Sequence, residues 1–190
     1  MNTLLALAIT AILAIKPAQN VRVERSFSLT DRYSNPWVND VFRYNILHTL
    51  TLMNSKTYSF TLNPGDVFAF HEDVLPQFEG KVVASMHAHF NFDEGFKSDG
   101  YLTGDGVCHL ASLMYWAARD AGLSALAPTN HNFATIPDVP KEDGVSILAS
   151  DPNQNLYITN TLITPVRFVF AFDDTRLTVK VIDLGVGVKS

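Results

Sequence analysis

The chain opens on an apolar run over residues 4–15, broken only by Thr10 and ended by Lys16 and Pro17. Crossing a bilayer takes a helix of about 20 apolar residues, so this run has the length of a signal-peptide hydrophobic region. Residues 1–20 are therefore expected to direct export, or to anchor the chain in a membrane through residues 4–15. One domain over 21–184 and a tail over 185–190 are expected to follow. Val21, Val23 and Phe27 fall among Arg22, Glu24 and Arg25 in a pattern that predicts an exposed strand over 21–28. Asn35-Pro36 breaks the chain before a helix with Asn39 or Asp40 as its cap. Within it Val38, Phe42, Ile46, Leu50 and Met53 recur at three- and four-residue steps, forming one buried stripe and leaving Arg43, Asn45 and His48 on other faces.

Residues 57–62 alternate as a strand, Asn63-Pro64-Gly65-Asp66 reads as a turn, and residues 67–70 resume extended structure. From 71 to 101 no period emerges, which points to a functional loop or to short irregular strands. Gly104-Asp105-Gly106 then opens a helix with Leu110, Leu113, Met114, Ala117 and Ala121 as its buried stripe and Gly122-Leu123 as its left-handed stop. Residues 156–161, 165–172 and 176–182 read as strands, the last two joined as a hairpin at Asp173-Asp174. Helices and strands are segregated along the chain. The fold class is accordingly α+β, a mostly antiparallel sheet packed against a helix that begins at the single cysteine.

Composition narrows the possibilities. At 190 residues, 47% hydrophobic and 17% charged, the chain is long enough for one core and unlike a disordered segment, a collagen or a coiled coil. One cysteine excludes an intrachain disulfide and any multi-cysteine metal site. A net charge of −5, with no basic run, argues against nucleic acid as partner, because no cationic excess exists to displace counterions. A small or polymeric non-nucleic substrate is expected.

The candidate chemistry centres on Cys108, in the first turn of the second helix. Unpaired N–H groups and the helix dipole favour a thiolate there. His131, 23 residues further on, is the candidate base, and Asp143, or alternatively Asn155, would orient its imidazole. Gly104, Gly106 and Val107 form the turn whose backbone N–H groups would hold an oxyanion. Ser112 and Tyr115 share the helix face of Cys108, and with Tyr101 and Phe133 they are candidates for lining a substrate groove, as is Trp116. A free cysteine is more often buried and inert than catalytic, so a binding groove beside a structural thiol is the competing reading. If residues 86–90 form a strand, His87 and His89 share a face, and with His71, His109 or His131 they could bind zinc. Two exposed histidines are the commoner outcome, and neither a metal nor a cofactor is assigned. Gly104-Asp105-Gly106 lacks the lysine and the longer glycine pattern of a phosphate cradle.

These residues resemble the VanW-like family, first named from a glycopeptide-resistance gene cluster and often joined to cell-wall-associated modules. The resemblance runs from about Arg43 to Val181. The family's Arg-x-x-Asn-Ile helix is similar to Arg43-Tyr44-Asn45-Ile46 shifted by one residue, and its Pro-Gly-Glu-x-Phe-Ser-Phe turn to Pro64-Gly65-Asp66-Val67-Phe68-Ala69-Phe70. Its Gly-Gly-Gly-Ile-Cys-Gln motif is similar to Gly104-Asp105-Gly106-Val107-Cys108-His109. A following His, an Asp-Ala-Thr-Val segment and a Leu-Lys-Phe-x-Asn-Asn-Thr strand match His131, Asp143-Gly144-Val145-Ser146 and Leu156-Tyr157-Ile158-Thr159-Asn160-Thr161. The resemblance implies an extracytoplasmic, cell-wall setting and wall peptide or glycan as partner. By fold-level analogy, a Cys at a helix start followed by a His is also the arrangement of transglutaminase-like and NlpC/P60-like thiol hydrolases, which act on amides. Two positions depart from the pattern. Asp105 stands where the family has glycine, and His109 where it has glutamine.

Overall fold

A computed structural model describes residues 20–185. The apolar run at 4–15 lies outside them, as does all of the expected tail beyond Gly185. Among the described residues no helix is long and apolar enough to cross a membrane.

The chain forms β1 (Asn20–Ser28), α1 (Pro36–Asn54), β2 (Ser59–Leu62), β3 (Val67–Ala69), β4 (Val82–Ala84), α2 (Val107–Asp120), β5 (Ser124–Leu126), β6 (Tyr157–Thr159), β7 (Val166–Phe172) and β8 (Arg176–Asp183). The fold is α+β, as expected, but its strands make two four-stranded sheets. The first, ordered β1-β8-β7-β2, is antiparallel throughout, and the hairpin of β7 and β8 is its centre. The second, ordered β4-β3-β6-β5, carries one parallel pair between β3 and β4. Phe60 joins the sheets, stacking on Phe168 across the β2–β7 ladder at 4.8 Å and on Phe68 of β3 at 4.6 Å. Aromatic pairs of this kind add to simple area burial.

Helix α1 starts earlier than the polar pair Asn39-Asp40 suggested. Asn35 is the cap, its side chain accepting from Trp37 N–H, and Pro36 occupies the first turn, where a missing N–H costs nothing. Phe42, Ile46 and Leu50 are fully buried as the stripe requires. Asn45 is also buried rather than facing outward. Its amide donates to the carbonyls of Lys97 (3.0 Å) and Asp105 (3.1 Å) and accepts from Lys97 N–H at 2.9 Å, so α1 holds the loop that leads into α2.

Helix α2 starts at Val107, one residue before the cysteine, and lies against β1, β8 and β5 as well as α1. Gly122, at φ +79°, donates to Arg119 C=O while Leu123 N–H donates to Ala118 C=O, the paired bonds of a Schellman stop. At the other end Gly106, at φ +98°, packs so closely on α1 that no side chain fits there.

Candidate functional site

The start of α2 forms one wall of a 500 Å³ cleft. Gly104, Asp105, Gly106, Cys108 and His109 face it from the helix, Arg32 and Tyr33 from the segment after β1. His131, Phe133 and Pro137 come from one loop; Ile147, Leu148 and Gln154 come from another. These two loops are tied together by an isolated bridge between Asn130 and Val145 and by Ser146 N–H donating to Thr129 C=O.

Ser112 sets the position of the cysteine. Its hydroxyl, wholly buried, donates to Cys108 C=O at 2.7 Å and accepts from Val145 N–H at 2.8 Å. That clamp lays residues 145–147 along the first turn of α2. Ile147 N–H consequently donates to Cys108 Sγ at 3.4 Å, and the thiol faces Ile147 C=O at 3.9 Å. Burial pushes the Cys108 thiol above its ordinary value, with the Asp105 carboxyl adding to the rise and the N–H groups of Ile147 and Cys108 itself opposing it. Desolvation thus outweighs the N–H groups that favour a thiolate, and the thiol is held protonated.

The structure gathers Cys108 and His131 on one cleft but does not hydrogen-bond them. His131 Nδ1 instead donates to Ala134 C=O at 3.0 Å, and its ring lies 4.0 Å from that of Phe133. The expected orienting group is elsewhere. Asp143 pairs with Arg119 on the last turn of α2, and its nearly buried carboxyl is raised by burial while the guanidinium opposes the rise. The alternative, Asn155, is spent on His71 and on the carbonyl of Asp73. Neither residue has the orienting role expected of it, because Asp143 pairs with Arg119, Asn155 with His71 and Asp73, and His131 Nδ1 goes to Ala134 C=O.

The oxyanion turn is also altered. Val107 N–H bonds to Gly104 C=O and so is spent within the turn. Among the described residues this leaves the N–H groups of Gly106, Cys108 and His109 without a backbone acceptor at the helix start, that of Cys108 being shared with its own thiol. Of the five groove candidates only Phe133, 77% exposed, lines the cleft. Tyr101 stands out in solvent at 99% exposure, and Tyr115 packs against the core with Arg119 over its ring. Ser112 is interior, for the reason given above, and Trp116 lies beneath Arg25.

Residues 86–90 are not a strand, since His87 and Phe90 both take left-handed backbone. His87 pairs with Glu72 and His89 with Glu94, so the two imidazoles do not converge. Among the described residues no group of three or more metal-ligating side chains comes together.

One residue of the cleft, Tyr33, escapes the sequence reading, and another, His109, is read there only as a departure from the motif and a possible metal ligand. Tyr33 donates its hydroxyl to Asp105 Oδ1 at 3.1 Å, and burial beside that carboxyl drives the phenol well above its ordinary range. His109 packs edge-on to Phe42 at 5.0 Å; burial, with Arg32 and His131 nearby, lowers it to about 3. It is a neutral imidazole at physiological pH. The departures from the motif, Asp105 and His109, therefore sit together at the floor of the cleft.

The fold and this site define a single-cysteine α+β domain whose second helix begins at a mainly apolar cleft. The family model described as VanW like protein matches residues 45–182, most of the chain, and the protein belongs to that family. No curated protein and no solved structure gives a match.

Proposed function

We propose that the protein is an extracytoplasmic accessory module that binds cell-wall peptide in the cleft without hydrolysing it. The observation that carries this reading is the state of Cys108, whose sulfur is engaged by the Ile147 backbone, raised in pKa and free of any imidazole. A nucleophilic thiol needs the opposite on the last two points, a lowered pKa and an imidazole within reach. The cleft has the make-up of a ligand site, mostly apolar walls with a few convergent polar groups. Leu102, Ile147, Leu148 and Pro137 suit amino-acid side chains better than sugar faces. The export reading of residues 4–15 and the wall-associated setting that the family resemblance implies supply the context.

The hydrolase reading keeps one observation in its favour, that Cys108 and His131 line the same cleft. It would require the sulfur to exchange Ile147 for the imidazole when substrate arrives, with the N–H groups of Cys108 and His109 receiving the oxyanion.

Calorimetry with soluble wall peptides, followed by mass spectrometry of the same samples, separates the two. Binding that survives Cys108→Ala with every peptide intact is expected. A peptide cleaved by the native protein and spared by Cys108→Ala would establish the hydrolase, and absence of binding to either protein would overturn the module.

A further inference from the structure

The carboxyl group of Asp105 is only half satisfied. The residue is 7% exposed and lines the cleft. Oδ1 accepts the Tyr33 hydroxyl, but Oδ2 is buried with no hydrogen-bond partner among the described residues. Buried polar atoms are seldom left so, and an orphaned carboxylate oxygen is among the costliest.

No cation of the cleft answers it. Arg32 is the one arginine or lysine among the lining residues described, and its Nε, Nη1 and Nη2 go to Ser28 C=O, Pro137 C=O and Asp138. His109 is held neutral by burial. The cleft lining thus contains one acidic group with an enclosed, unpaired acceptor and no arginine or lysine paired with it. Burial raises this carboxyl, with Asp99 adding to the rise while Tyr33 and the Gly106 N–H oppose it.

We propose that Asp105 is the recognition group for a primary ammonium on the ligand, so that the peptide bound in the cleft presents a free amine to it. An ammonium carries three donors and no acceptor, and it supplies the missing bond and the missing charge together. A neutral amide would supply the bond alone. Tyr33 holds the carboxyl in place, and the apolar walls take the alkyl stem of the amine. The proposal rests on the reading of the cleft as a ligand site.

The test uses the full chain labelled with ¹³C at aspartate, titrated with n-butylammonium chloride, and with n-butanol at matched salt as control. A saturable shift of the Asp105 carboxyl carbon with the amine, absent with the alcohol, is expected. No shift, or the same shift with both, would overturn the proposal. A second arm compares a lysine-bearing wall peptide with its Nε-acetylated form. Binding about tenfold tighter for the free amine, lost in Asp105→Asn, is expected. Equal binding of both peptides would leave the wall-binding function standing and overturn the ammonium site. Butylammonium registering at Asp105 with no wall peptide bound would do the reverse.

Discussion

A Cβ placed on Gly106 would stand 2.9 Å from Cγ1 of Ile46, so α1 and α2 meet at a point that only glycine can occupy. The carbonyl of Phe42 is equally close and belongs to rigid helix backbone. Gly106→Ala must therefore part the helices as well as hold alanine at positive φ. A loss of about 3 kcal/mol is expected, read as a lower midpoint in urea denaturation. A variant as stable as the native chain would mean that the crossing is loose.

Ser112 bonds the helix start to the 145–147 segment. Removing its hydroxyl strands a buried N–H at Val145, which costs about 1–3 kcal/mol. Because the same clamp places Ile147 on Cys108, Ser112→Ala is expected to speed thiol alkylation as well as lower stability. Lowered stability with unchanged alkylation would show that Ile147 is held by something else.

Asp143 serves structure in this arrangement. Its partner Arg119 is 46% exposed, so the pair is partly screened by water, and Asp143→Asn is expected to cost about 1 kcal/mol. The rate of Cys108 alkylation should not change. A reactivity change in this variant, measured with stability held above the working temperature, would restore Asp143 to the site.

What could be read from the sequence was local. The stripe of α2, the Gly122 stop and the β7–β8 hairpin each lie within one element or one turn, where periodicity and turn chemistry act directly. The cysteine, its helix and its cleft partner His131 were legible for the same reason, helped by the motif around Gly104-Asp105-Gly106. The rest depends on contacts between residues far apart in the chain. Tyr33 meets Asp105 across 72 positions, and Asn45 reaches Lys97 across 52. No spacing rule announces either. Asp143 is the acid expected to orient His131, but Arg119 is its partner in space, and charge pairing prevails over the expected imidazole contact. The departures at Asp105 and His109 were visible as departures. Only the structure puts both at the floor of one cleft.

His109 makes stability depend on pH. Its folded pKa of about 3 lies below the ~6.5 of an unfolded histidine, so the unfolded chain takes up a proton first as pH falls. The stability contributed by the neutral ring is complete above ~6.5 and is lost toward 3, at no more than about 1.4 kcal/mol per pH unit. Buried Asp105 and Asp143, raised rather than lowered, act in the opposite sense. The difference between the native chain and His109→Gln cancels most of those contributions. The native chain is expected to lose more stability than the variant between pH 6.5 and about 4.5, measured by denaturant midpoints. Parallel curves would show that His109 accepts its proton without cost.

The central claim is that Cys108 is a held thiol and not a nucleophile. The pH dependence of its alkylation by iodoacetamide, in the native chain and in His131→Ala, addresses it most directly. Slow alkylation with a midpoint above the ~8.5 of a free cysteine, the same in both proteins, is the result expected. A thiol that reacts rapidly at neutral pH, and loses that reactivity in His131→Ala, would contradict the binding-module account and establish a catalytic dyad.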